Sequence, residues 1–254
     1  FLVANIGGSL TPLGDPPLFL GFLRGVDFFW TTKHLSIEMI FMVVCLLAIF
    51  FVLDSYLYKK EGVIPDPTPD TDKFSVTGLA NLALIGVAIA AIIVSGIWKP
   101  GISVTILGTE LQLQNLMRET VMLGVGVASI LITSRDDREA NGFEWEPLVE
   151  VAKLFAAIFT CIIPVMAMLH AGKDGAFAPI VSLVSNSDGS ANPAAYFWLT
   201  GILSSFLDNA PTYLVFFQLA GGDPVALMYQ HTQVLIAISI GAVFMGANTY
   251  IGNA

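Results

Sequence analysis

Four stretches of the chain are apolar for long enough to cross a bilayer. Residues 37–58, 74–98, 118–134 and 148–170 each approach the roughly 20 apolar residues that a spanning helix requires. Charges mark their edges. Glu38 and Asp54 lie near the ends of the first run, and none falls between Phe74 and Trp98 in the second. Arg118 and Glu119 open the third, and Glu150 and Lys153 share a helix face near the start of the fourth. This pattern predicts interfacial placement for those charges. Trp30, Trp98 and Trp145 fall at or near run edges, where amphipathic rings settle at the headgroup level.

The remaining apolar sequence is broken. Residues 1–23 are interrupted by Gly7, Gly8, Pro12, Gly14, Pro16 and Pro17. After Gly172 the runs shorten to 176–185, 193–207, 212–220 and 233–247, punctuated by Gly, Pro, Asn and Asp. An unpaired backbone group in hydrocarbon costs several kcal/mol, roughly, so broken backbone survives at membrane depth only under protein or beside a wet cavity. Short, interrupted hydrophobic segments therefore point to a transporter's binding site. The loop 61–72, acidic and carrying Pro65, Pro67 and Pro69, reads as an extended tether. Basic residues divide evenly between the two loop faces, with the tight Lys59-Lys60 and Arg135–Arg138 clusters leaning toward the cytoplasm.

Composition narrows the class. Apolar residues make up 55% of the 254, charged residues only 12%, and mean hydropathy is +0.76. Those values exclude a soluble enzyme and a disordered chain. A net charge of −9 leaves no electrostatic footprint for nucleic acid. Cys45 and Cys161 lie inside apolar runs and read as buried thiols. His34, His170 and His231 lie near run ends without metal-ligand spacing. There is no phosphate-binding Gly-rich loop, Ser–His–Asp set or HExxH helix, so no enzyme chemistry is expected. Both chain ends fall inside apolar motifs, which reads as an internal piece of a longer membrane protein, about half of it.

Two places share the template G-x-x-T-x-[LI]-G-[DN]: Gly8 to Asp15, and Gly246 to Asn253. Glycine lets backbone unwind or a ligand approach closely, and the Thr, Asp and Asn side chains supply oxygen ligands. Such an internal echo fits the repeats of secondary transporters. A second feature is Ser204-Ser205-Phe206-Leu207-Asp208-Asn209-Ala210-Pro211-Thr212, flanked by apolar runs. A carboxylate beside an amide at membrane depth points to a functional site. Asp208 also reads as a helix N-cap, with Pro211 in the first turn. The two readings are compatible, because a helix N-terminus aimed at a ligand is itself a binding device. Asp15, in Gly14-Asp15-Pro16-Pro17, reads either as a ligand or as a turn former.

The stretch Asn5-Ile6-Gly7-Gly8-Ser9-Leu10-Thr11-Pro12-Leu13-Gly14-Asp15-Pro16-Pro17 resembles the first-repeat motif of the ion transporter superfamily. Leu207 to Thr212 resembles its second-repeat hairpin, and Gly246 to Ala254 the following broken helix. Trp145 to Phe155 resembles the entry helix of repeat two. The branch most similar is citrate-transporter-like, related to NhaD-type sodium:proton antiporters and arsenite pumps. The resemblance implies an all-α polytopic membrane protein, an inverted-repeat secondary transporter with re-entrant hairpins and broken helices, in the cell (inner) membrane. Residues 1–24 would end the first repeat, 37–134 would hold connecting helices, and 148–254 would form the second repeat. It implies a first half-site of Asn5, Ser9, Thr11 and Asp15, and a second of Ser205, Asp208, Asn209, Thr212, Asn248 and Thr249. Relatives of this kind are often dimers, so the resemblance also implies a homodimer.

The substrate readings differ in chemistry. Sodium needs hard oxygen ligands, which Asp208, Asn209, Thr249 and unwound backbone would supply. Proton exchange needs a carboxylate whose burial brings its protonation toward physiological pH, Asp208 first and Asp15 second. Citrate would favour Arg, Lys or exposed helix N-termini. No Lys or Arg lies in 1–23 or after Lys173, which favours a cation. Sodium:proton antiport is thus the leading expectation, with coupling ions Na+ and H+. Sodium- or proton-coupled citrate or dicarboxylate transport is the alternative, and a non-transporting membrane scaffold the remote one.

Overall fold

The computed structural model describes residues 2–61, 78–106, 108–171, 174–186 and 188–249. The tether 61–72 and the end of the second echo, Tyr250 to Asn253, lie essentially outside them. The chain is predominantly helical and divides into two compact units: residues 1–64 with 152–254, and residues 65–151.

Four helices have span length and composition: α2 (Trp30–Glu61), α3 (Leu79–Ile97), α4 (Leu113–Ile132) and α6 (Glu146–His170). Only 6–11% of their most apolar windows is buried within the chain. Side chains such as Phe41, Phe51, Leu82, Leu123 and Ile163 stand exposed along them. Surface that apolar is stable only against lipid, so the chain is a multi-pass membrane protein. Cys161, expected to be buried, is exposed on α6, and Cys45 is half-buried on α2. Pro164 sits inside α6, where it withdraws the N–H that would bond the carbonyl one turn earlier.

In the second unit, α3 and α4 form an antiparallel pair. Asn81 at the start of α3 meets Ser129 and Thr133 at the end of α4: its Nδ2 lies 2.8 Å from Thr133 Oγ1, and its Oδ1 accepts from Ser129 Oγ at 2.9 Å. A ribbon of β1 (Ser103–Ile106) and β2 (Thr109–Gln112) joins their other ends, with Ser103 opposite Gln112 and Ile106 opposite Thr109. The helix after it begins five residues before the apolar run does. Arg118 consequently lies within α4 rather than at its edge, buried, with Nη2 2.6 Å from Glu119 Oε1. A short helix α5 (Arg135–Ala140) follows, capped by Ser134, which accepts from the Asp137 N–H at 3.0 Å.

The first unit packs short helices around one core. A π-helical turn at Leu2–Ile6 and irregular chain to Asp15 precede α1 (Pro16–Leu23). After α6 come α7 (Ala178–Leu183), α8 (Pro193–Phe206), α9 (Asn209–Leu219), α10 (Pro224–Tyr229) and α11 (Thr232–Gly246). The starts of α8 and α10 follow one recipe. Asn192 caps α8 by accepting from Ala195 N–H, Asp223 caps α10 by accepting from Val225 N–H, and proline follows each cap. Gly221 and Gly222 turn the chain before α10 in left-handed conformations open to glycine. Ile6, Leu18, Leu35, Tyr196, Tyr213, Phe217, Leu235, Ile238 and Val243 form the core. At about 1.5 Å per residue, α8 and α9 extend about 21 and 16 Å, short of the roughly 30 Å hydrocarbon layer.

Candidate functional site

Two helix N-termini lie side by side in the first unit. Asp15 is in the N-cap position of α1, but its carboxylate caps nothing. The reason is local. N1 and N2 are Pro16 and Pro17, which have no N–H, and the N–H of Leu18 bonds instead to the Asp15 carbonyl at 3.1 Å. The freed carboxylate accepts from Asn209 Nδ2 at 2.9 Å. Asn209 is the first residue of α9, and both partners are buried. Further along, Tyr213 packs its hydroxyl against Gly21, so α1 and α9 run parallel.

Asp208 caps α9 by accepting from the Ala210 N–H at 3.3 Å, and its carbonyl accepts from Thr212 Oγ1 at 2.9 Å. Its half-buried carboxylate is close enough to Asp15 for the two charges to act on each other. Among the described residues neither acid forms an ion pair. At Asp208 the N-terminus of α9 offsets the charge, through the Ala210 N–H.

The end of α8 is fastened to the end of α11. Ser205 Oγ lies 2.8 Å from the Gly201 carbonyl and 2.9 Å from the Met245 carbonyl, and it accepts from Asn248 Nδ2 at 3.2 Å. Thr249 Oγ1 donates to the Ser205 carbonyl. Phe197 meets Gly241 and Gly201 meets Met245 in the same order, which makes α8 and α11 parallel. Gly201 and Gly241 permit the approach, since a Cβ on Gly241 would stand 2.8 Å from the Phe197 carbonyl oxygen.

The broken segment 2–15 is folded on itself. A Cβ on Gly8 would lie 2.6 Å from the Gly14 carbonyl oxygen, so the two glycines are in backbone contact. Ser9 Oγ donates to the Ile6 carbonyl at 2.6 Å, and Thr11 is half-buried with its carbonyl accepting from Gly14 N–H at 3.0 Å. Thr31 and Thr32, at the start of α2, both donate to the Leu10 carbonyl. Asn5 is buried, and its Nδ2 has no partner among the described residues.

The ten residues singled out in sequence thus fall into groups. Asp15, Asp208, Asn209 and Thr212 gather at the paired N-termini. Ser205, Asn248 and Thr249 tie α8 to α11, with Asn248 exposed. Asn5, Ser9 and Thr11 belong to the broken segment that precedes α1. Buried hydroxyls on α8 add to these: Thr200, missed in sequence, and Ser204, which lies within the quoted motif but was not assigned to the site. Ser204 Oγ donates to the Ala242 carbonyl at 2.8 Å, and Thr200 Oγ1 has no partner among the described residues. The helical spacing of Tyr196, Thr200 and Ser204 is the signal that marked them as one buried stripe. The described residues hold no group of three His, Cys, Asp or Glu suited to a metal ion.

No curated protein and no solved structure matches the chain. A family model described as "Putative citrate transport" matches residues 1–254. With that match over the whole of a multi-pass membrane chain, the protein belongs to this transport family.

Proposed function

We propose that the chain carries the binding core of a secondary transporter that moves citrate or a related di- or tricarboxylate together with a cation, Na+ or H+, across the cell membrane. The observation that carries the carboxylate is Asn5, a buried amide whose Nδ2 donor is unfilled in the same broken segment as Asp15. A buried unfilled donor costs free energy unless an acceptor arrives, and a carboxylate oxygen is such an acceptor. A bare cation is not. The family description favours the same substrate class. Asp15 and Asp208, neighbouring acids without a cationic partner, supply the charge that a co-transported cation would neutralise. Asn209, Thr212 and Thr249 add amide, hydroxyl and carbonyl oxygens nearby. The short α8 and α9 support a re-entrant hairpin, with residues 1–24 and 148–254 as parts of two inverted repeats.

Sodium:proton antiport is the second reading, favoured by the same pair of acids. Uptake of labelled citrate into proteoliposomes, under an inward Na+ or H+ gradient, separates the two. The symport reading expects gradient-dependent citrate uptake that Asp208→Asn abolishes. Sodium-driven pH change in the absence of citrate, without citrate uptake, overturns it in favour of antiport.

A further inference from the structure

At the end of the α3–α4 pair away from Asn81, the β1–β2 ribbon and the start of α4 border a cavity of about 310 Å3. Lys99, Ser103, Glu110, Gln112 and Gln114 line it. Gln114 is only 5% exposed; its Nε2 donates to Gln112 Oε1 at 2.6 Å, while its Oε1 is buried with no partner among the described residues. Lys99 and Glu110 bring opposite charges to one cavity, and among the described residues neither has an ion-pair partner. Gln112, the N-cap of α4, makes no side-chain cap bond, and in the first turn of this 20-residue helix the Leu113 N–H bonds to the Ile102 carbonyl at 2.9 Å.

The cavity's position limits what reaches it. α3 and α4 both have span length, so the segment joining them lies at a membrane surface. Ile97, Trp98, Ile102 and Met117 are exposed around it, an apolar and aromatic rim of the kind found at headgroup level. Two kinds of recognition coexist inside. The Lys99 ammonium and the α4 N-terminus, which has no side-chain cap, favour a phosphate. The buried Gln114 carbonyl needs an N–H donor, and the exposed Glu110 carboxylate accepts one.

We propose that this cavity binds the headgroup of phosphatidylethanolamine, phosphate toward Lys99 and the α4 N-terminus, primary ammonium toward Glu110 and Gln114 Oε1. Phosphatidylcholine offers a cation without N–H donors, and phosphatidylglycerol a phosphate without a cation. Neither satisfies both halves of the site.

The purified protein, delipidated in detergent, can be given each of the three lipids and followed by native mass spectrometry and thermal melting. The expected result is at least tenfold greater retention of phosphatidylethanolamine than of the other two. Glu110→Gln, at an exposed position, is expected to melt like the parent in detergent while losing the preference over phosphatidylcholine. Lys99→Gln is expected to weaken all three lipids. Equal retention of phosphatidylcholine, or an unchanged preference in Glu110→Gln, overturns the proposal. So does binding of soluble phosphoethanolamine as tight as that of the lipid.

Discussion

The amide of Asn209 donates to the carboxylate of Asp15 across 194 residues of sequence, at 2.9 Å and out of contact with solvent. The bond couples the first turn of α1 to the first turn of α9. It forms because proline at N1 and N2 leaves Asp15 nothing to cap. Removing one partner of a buried bond to a charged group costs more than the bond's net worth, because the other is stranded. Asn209→Ala should therefore destabilise the protein by about 1.5–3 kcal/mol, a figure appropriate to a charged acceptor. Thermal melting in detergent checks this, with Asp15→Asn as companion. That second variant keeps an acceptor oxygen and should melt closer to the parent.

Asp208 combines two roles that substitutions can separate. As N-cap of α9 it accepts the Ala210 N–H. Asn caps as well as Asp, whereas Ala removes the cap at a cost of about 1 kcal/mol. Asp208→Asn should leave the melting temperature near that of the parent, and Asp208→Ala should lower it. If the charge binds the coupling cation, both variants lose transport alike. Transport that follows melting temperature instead would reduce Asp208 to a cap.

The spans were legible because lipid-facing helices need apolar side chains on every face, and α2, α3 and α6 start and stop within several residues of their apolar runs. The start of α4 was less legible. Leu113 to Met117 mixes Gln and Asn with Leu and Met, so hydropathy places the helix late and leaves Arg118 at its edge. Strands of four residues such as Ser103–Ile106 give too short an alternation to read. Asp15 and Asp208 stood out as acids in broken apolar sequence, yet nothing local shows that Asp15 meets Asn209. That partnership follows from the parallel packing of α1 on α9 through Gly21 and Tyr213, a long-range contact.

The α8–α11 crossing rests on two glycines of unequal tolerance. A Cβ on Gly241 meets the Phe197 carbonyl oxygen at 2.8 Å, which is backbone and cannot swing away. A Cβ on Gly201 meets the thioether of Met245, the end of a flexible side chain. Overpacking of a tight contact costs about 1–3 kcal/mol. Gly241→Ala should fall in that range and also loosen the Ser205–Thr249 tie. Gly201→Ala should cost less, and combining it with Met245→Ala should recover most of the loss. Melting of the three variants checks the order.

Asn81 offers the contrasting case of a half-buried polar contact with little leverage. It joins α3 to α4 through Thr133 and Ser129, with distances of 2.8 and 2.9 Å. Both hydroxyls sit in or just past the last turns of α4, where each can bond instead to a carbonyl one turn earlier in its own helix. Their rescue limits the penalty of losing Asn81, unlike that of losing Asn209, whose partner carries a charge. Hydrogen bonds between membrane helices average about 0.6 kcal/mol and reach about 1.7. Asn81→Leu should therefore lower stability by no more than roughly 1.7 kcal/mol. The Asp15–Asn209 pair lies in the other compact unit, so transport by Asn81→Leu should match the parent. Melting and labelled-citrate uptake measured on the same preparation test both halves. A loss of uptake without a fall in melting temperature would show that the α3–α4 pair takes part in the transport cycle.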